Sequence, residues 1–223
     1  MNVWDQKFYR KEEIYESDIF KIPLEDLPLF IKYLRDEKGK RVLDIGCGTG
    51  RHLVPLARAG FEVYGIDIAK KALKSAKKRL KQEELTAHLY CGSFFEPLPY
   101  SENFFDGVLS IKALHHGTIK QIKLLIKEIE RIIKPRGLLM LEVPRKKEKK
   151  KTDLAQYKEI EPNTIIPLQG PEAGVPHHIF DKEEICKLLS NFEILSLHAT
   201  GEDNIQTPSP HWTLIARFMK KGV

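Results

Sequence analysis

The spacing of apolar residues changes repeatedly along this chain, and each change marks an element. Val42, Leu43 and Ile45 form a short apolar run broken by one acid, Asp44, so Arg41–Ile45 reads as a buried parallel strand. Phe61–Asp67 reads as a second strand, also ending in a carboxylate. Between them Arg51–Ala59 opens as a helix, with Pro55 near its first turn and Gly60 as its left-handed terminator. Ala69–Gln82 is amphipathic: Ala69, Ala72, Leu73, Ala76 and Leu80 make a narrow apolar stripe, and Lys and Arg fill most of the rest. Thr86–Cys91 and Phe104–Ser110 read as the third and fourth strands. Ile119–Lys134 carries apolar residues at 122, 125, 126, 129, 132 and 133, the spacing of a core-facing helix. Pro135-Arg136-Gly137 then predicts a turn before a fifth strand, Leu138–Val143. Asp181 is a good N-cap, with Glu183 and Glu184 in the first turn of a further helix. Phe192–His198 and His211–Phe218 read as the last two strands. Strands alternating with helical crossovers predict one doubly wound α/β sheet.

The connection between the first two strands holds the chemistry. Gly46, Gly48 and Gly50 fall within five residues, so the backbone can turn tightly and approach a ligand without Cβ clashes. Such a turn lies at the carboxyl edge of a βαβ unit, where open α/β sheets bind ligands. A dinucleotide site would place its glycines as G-x-G-x-x-G, and the third would fall at residue 51, which is Arg. The order found is Asp-x-Gly-x-Gly-x-Gly. Asp44 would repel a pyrophosphate but attract the ammonium of a methionine moiety. Asp67 is placed to accept from both ribose hydroxyls of a nucleoside. Together these residues favour S-adenosylmethionine over a dinucleotide.

On these motifs residues 40–143 resemble the class I S-adenosylmethionine-dependent methyltransferases, most of all the small-molecule enzymes grouped with ubiquinone and menaquinone biosynthesis. The resemblance implies a Rossmann-like, mostly parallel seven-stranded sheet with an antiparallel C-terminal strand. It extends to Phe105-Asp106-Gly107-Val108, where Asp106 is expected to be structural, and to the Pro-x-Gly turn at 135–137. It implies cofactor contacts from Asp44, Gly46, Cys47, Gly48 and Gly50 in the first turn, and from Asp67 and Ile68 after the second strand. Ser93, Phe94 and Ile111 complete the expected set. Ser93 departs from the family, which usually has an acid there for the adenine amino group. Phe94 either stacks on the adenine or packs in the core.

Composition and charge narrow the reading. At 223 residues one domain is expected. Within it we expect an N-terminal cap (1–38), a cofactor-binding core (40–143), a lid or substrate insertion (144–180) and a C-terminal helix with hairpin (181–223). No apolar run reaches membrane-spanning length, and the charged first residues lack the apolar stretch of a secretory signal. The three cysteines, Cys47, Cys91 and Cys186, follow no metal-ligand spacing, so a reduced, cytoplasmic setting and no metal are expected. The net charge of +6 is concentrated: residues 145–151 and 70–84 each carry +5, leaving −4 on the remainder. Basic residues so placed read as a surface loop and a solvated helix face rather than a polyanion-gripping pocket.

Proline and glycine recur through residues 161–180, so this part of the insertion is expected to be ordered without being helical or strand-like. Four of the eight histidines occur in two pairs, His115-His116 after the fourth strand and His177-His178 at the end of the insertion. Either pair could present a general base to a methyl acceptor or be structural. Trp4, Phe8 and Tyr9 form an aromatic cluster that either folds over the cofactor or packs on the surface. A small-molecule acceptor is the leading expectation. An RNA methyltransferase is the alternative, because Ser110–His116 is similar to the wobble-uridine tRNA enzymes. A noncatalytic cofactor-binding partner subunit is the other.

Overall fold

A computed structural model describes residues 2–8, 22–146, 156–200 and 210–219, without the side chains of residues 7 and 8. Five α-helices are described: α1 (Leu27–Asp36), α2 (Leu53–Arg58), α3 (Lys70–Gln82), α4 (Ile119–Ile132) and α5 (Lys182–Leu188). The main sheet contains β1 (Arg41–Ile45), β2 (Glu62–Asp67), β3 (His88–Cys91), β4 (Phe105–Ile111), β5 (Ile133–Pro144), β9 (Phe192–Thr200) and β10 (His211–Phe218). A second, three-stranded sheet contains β6 (Tyr157–Glu161), β7 (Thr164–Pro167) and β8 (His177–His178).

The main sheet runs β3-β2-β1-β4-β5-β10-β9. β1 pairs in parallel with β2 and β4, β2 with β3, and β4 with β5, whereas β10 is antiparallel to both neighbours. The expected seven-stranded sheet with an antiparallel C-terminal strand is the one observed. Successive residues alternate between two cores, as a period-2 strand requires. Leu43, Val108, Leu139, Leu141 and Leu214 pack on the α4 side. Val42, Leu109, Leu138, Met140 and Ile215 pack on the opposite side, with Phe30 and Leu34 of α1 and Leu73 and Ala76 of α3. On α4 the buried residues are Ile122, Leu125, Ile126, Ile129 and Ile132. Five such side chains represent a gross burial of about 10 kcal/mol before entropy is charged against them. Thr118 and Gln121 close the start of α4 as a reciprocal capping box.

Several boundaries differ from expectation for local reasons. β5 begins at Ile133, directly after α4, because Ile133 already pairs with Phe105. Pro135-Arg136-Gly137 is therefore an irregularity within the strand rather than a turn before it. Arg136 is left-handed (φ 66°), and the register slips from Phe105–Ile133 to Gly107–Leu138. Asp106 sits at this irregularity. It accepts from the Lys40 and Arg41 backbone N–H groups at 2.9 and 2.8 Å and from Lys134 Nζ at 2.7 Å.

The insertion is more regular than its proline content suggests. Contrary to expectation, Thr164–Pro167 and His177–His178 are strands, paired at Thr164–His178 and Ile165–His177. Helix α1 lies within the segment expected only to be a cap. Part of the Lys-rich loop (147–151), Tyr9, the Phe8 side chain, and Pro208-Ser209 lie outside the described residues. No helix among the described residues is long and apolar enough to cross a membrane.

Candidate active site

The parallel strands bring their carboxyl ends to one edge of the sheet, and a cleft of about 240 Å³ lies there. Its floor is the turn after β1. Gly46 (φ 73°), Gly48 (φ 52°) and Gly50 (φ 83°) all take left-handed backbone. At Gly46 a Cβ would stand 2.3 Å from the Ala113 Cβ, so the loop after β4 lies against this glycine with no room for a side chain. Gly48 N–H donates to Asp67 Oδ2 at 2.8 Å, and Ala69 N–H donates to Asp67 Oδ1 at 2.8 Å. The carboxylate at the end of β2 is thus fixed by the two turns it joins, and each oxygen keeps a lone pair for a ligand. Burial, partly offset by these two donors, raises the Asp67 carboxyl to about 6.

The cleft gathers Gly46, Cys47, Gly48, Asp67, Ile68, Phe94 and Ile111 from the expected cofactor set. Asp44, Gly50 and Ser93 do not line it. Gly50 is a turn residue, and Ser93 Oγ accepts the Phe95 N–H at 3.2 Å. Asp44 is 1% exposed, and neither of its oxygens has a hydrogen-bond partner. Its near neighbour is His52, whose Nδ1 lies 3.7 Å from Asp44 Oδ2 and whose Nε2 accepts the Leu24 N–H at 3.3 Å. With Nε2 accepting, the proton of the neutral ring sits on Nδ1, toward Asp44. Burial pushes His52 below the usual imidazole range, against the pull of Asp44. Cys47 is also buried, and desolvation pushes its thiol well up, so it is an inert wall rather than a nucleophile.

Of the four paired histidines, only His116 lines the cleft. Trp4 meets it edge-on, with centroids 4.7 Å apart. Burial and the neighbouring His177 lower His116 to about 3, so its ring is neutral near pH 7. His115 is buried, with Nδ1 unpartnered. His177 stands behind His116 and bonds Glu172, while His178 Nδ1 bonds the Thr164 hydroxyl at 2.7 Å. Glu172 itself reaches the cleft.

The chain start is tied down beside these residues. Asp5 accepts from the Lys70 and Lys71 backbone N–H groups at 3.2 and 3.0 Å, capping α3 from outside because Ala69 has no side chain to do so. Asn2 Nδ2 donates to the Ile68 carbonyl at 2.8 Å. Trp4 is carried onto the cleft by this clasp.

Residues 42–137 match the family described as "Methyltransferase domain". Over this stretch the chain is similar to methyltransferases. An uncharacterized methyltransferase of Synechocystis is 35% identical over 126 residues, covering 56% of this chain and 54% of that protein. A ubiquinone biosynthesis O-methyltransferase of Pelagibacter ubique is 32% identical over 133 residues, 60% of this chain and 50% of the relative. The chain therefore spans about half the length of the curated relatives it matches. In fold, it superposes on a SAM-dependent methyltransferase from Methanosarcina mazei with a TM-score of 0.75 at 23% identity, covering 87% of this chain and 98% of that one.

Around the cleft, sequence reasoning missed His52, Lys112 and Glu172. His52 follows the glycine turn directly, and that position was its only signal. Lys112 is left-handed (φ 55°) at the end of β4, an unusual backbone for a residue with a Cβ, and it lines the cleft. Glu172 had no local signal, since the fold of the insertion alone brings it to His116.

Proposed function

We propose that this chain transfers the methyl group of S-adenosylmethionine to a small-molecule acceptor held between the glycine turn and the insertion. The observation that carries this reading is the cleft itself, walled by Gly46–Thr49 and Asp67 on one side and by His116 and Glu172 on the other. The residues present fit the cofactor. Gly46 keeps the turn close against Ala113 on the cleft floor, Asp67 retains acceptor capacity for ribose hydroxyls, and Asp44, a buried carboxylate without a hydrogen-bond donor, lies behind the turn next to His52, which lines the cleft. Bound there, the cofactor supplies an electrophilic methyl carbon on a sulfonium. Phe94, Ile111 and Ala113 give the cleft apolar walls that exclude water, and the glycine turn and Asp67 fix the nucleoside. Holding the reactants in line is the main catalytic contribution such a site makes. His116 and Glu172 give the acceptor polar partners, and Trp4 adds an aromatic wall.

The small volume of the cleft, about 240 Å³, supports a small acceptor over RNA, as does a relative named for ubiquinone biosynthesis. The basic face of α3 points away from the residues it buries, Ala72, Leu73, Ala76 and Leu80. Calorimetry with S-adenosylhomocysteine and with NAD tests the cofactor, and binding of NAD alone would refute the reading. Labelled cofactor and cell extract, fractionated into small molecules, RNA and protein, test the acceptor. Label confined to RNA would replace the small-molecule proposal.

A further inference from the structure

Three imidazoles converge where the end of β4 meets the returning insertion. One ring nitrogen from each of His115, His116 and His177 lies within 4.8 Å of the other two. Ring centroids are 3.9 Å apart for His115–His116, 4.7 Å for His116–His177 and 5.6 Å for His115–His177. The backbone holds the same junction, with the His178 N–H donating to the His115 carbonyl at 2.9 Å. Glu172 approaches two of them: Oε2 lies 3.0 Å from His177 Nε2, and Oε1 lies 3.8 Å from His116 Nε2.

As a neutral ring His177 cannot satisfy both of its neighbours. His177 Nδ1 is 2.9 Å from the Val175 carbonyl oxygen and must carry a proton to bond it. The other nitrogen of a neutral ring then points a lone pair at the Glu172 carboxylate oxygen. A proton or a metal ion must lie between them. The second carboxylate oxygen faces a second imidazole, and His115 adds a nitrogen that is buried and has no partner. A single proton answers the first contact and leaves the other two groups unused.

We propose that His115, His116 and His177, with Glu172, form a binding site for a divalent first-row transition metal, with Zn²⁺ as its representative. Imidazoles with one carboxylate suit Zn²⁺ and its neighbours, whereas Mg²⁺ and Ca²⁺ need oxygen ligands. Bonds of about 2.0–2.1 Å place tetrahedral ligand atoms roughly 3.4 Å apart, so ring nitrogens within 4.8 Å of one another would draw in by up to about 1.4 Å around an ion. His116 and Glu172 also line the cleft, so a fifth coordination position, beyond the four protein ligands, would face the space assigned to the acceptor. An oxygen, nitrogen or sulfur of the acceptor is the ligand that position would take. This last step rests on the proposed function; the metal site itself does not.

The experiment uses the full chain, stripped with a chelator and titrated with ZnCl₂ by calorimetry, with S-adenosylhomocysteine titrated in parallel. Binding of one equivalent is expected. Loss of a direct ligand should exceed the ~10–100-fold cost typical of outer-shell changes, so His116→Gln and His177→Gln should each weaken Zn²⁺ by about 100-fold or more. His88→Gln, on exposed β3, should leave it unchanged. Absence of Zn²⁺ binding, or stoichiometric binding that survives both substitutions, would overturn the site. Should either variant fail to fold, the Co²⁺ spectrum of the wild-type chain decides. A tetrahedral or five-coordinate nitrogen–oxygen spectrum supports the site, and a thiolate charge-transfer band overturns it. Homocysteine-nucleoside binding without Zn²⁺ would sink only the metal, and Zn²⁺ binding without the nucleoside would sink only the cofactor reading.

Discussion

Gly46→Ala separates the two reasons why the turn after β1 needs glycine. A new Cβ would lie 2.3 Å from the Ala113 Cβ, far inside van der Waals contact, with Phe94 Cε1 next at 3.5 Å. The residue also sits at φ 73°, where a side chain costs about 1–2 kcal/mol whatever the space. Overpacking adds roughly 1–3 kcal/mol, for a total near 2–5 kcal/mol. For a chain of this size that is a fall in Tm of roughly 4–20 °C. The assay is a double-mutant cycle by thermal and urea unfolding, with S-adenosylhomocysteine affinity measured at each corner. Ala113→Gly removes the 2.3 Å contact and leaves only ordinary contacts for the new methyl. In that background Gly46→Ala should cost only the backbone part, about 1–2 kcal/mol. A neutral single variant would refute the geometry of the cradle. A cost as large in the Ala113→Gly background as in the wild type would show that contact with the loop after β4 is not what excludes a side chain.

Further outcomes follow from three specific sites. Because burial holds Asp67 near 6 and ribose hydroxyls bind its ionised form, S-adenosylhomocysteine affinity should fall as pH drops through about 6 and approach a tenfold loss per pH unit below it; calorimetry between pH 8 and 5 checks this. The same raised value means that the ligand-free protein binds this proton more tightly than the unfolded chain does. Its contribution to stability therefore declines as pH rises from about 4 to about 6. Asp5→Ala should remove the external cap of α3, costing about 1 kcal/mol and loosening Trp4 from the cleft, seen as faster amide exchange at Lys70 and Lys71. Burial opposes ionisation of Asp106, but donors from Arg41, Lys134 and Lys40 win and hold its carboxyl below the usual range. Its stabilisation should be complete above about pH 4–5 and be lost on further acidification, so Asp106→Ala should flatten the acid limb of a stability–pH curve.

Wherever contacts are local, the chain announced its structure. Glycines followed by an apolar helix placed the turn, and the residues expected on the buried stripe of α4 are the ones the core takes. Boundaries failed where a distant partner decided them: Ile133 is a strand residue because Phe105 lies opposite, not because its neighbours demand it. Asp44 could be read as a buried acid near the ligand, but only packing shows that His52, rather than Asp44, reaches the cleft.

The sequence by itself determined the strand–turn–helix unit and the carboxylate closing β2, because backbone freedom and hydrophobic period act over a few residues. Tertiary structure alone decided what faces that unit. Glu172, His116 and Trp4 come from three separate segments, and no periodicity along the chain records their meeting. Their approach depends on β7 pairing with β8, on Asp5 capping a helix far along the chain, and on the packing of the insertion against the end of β4.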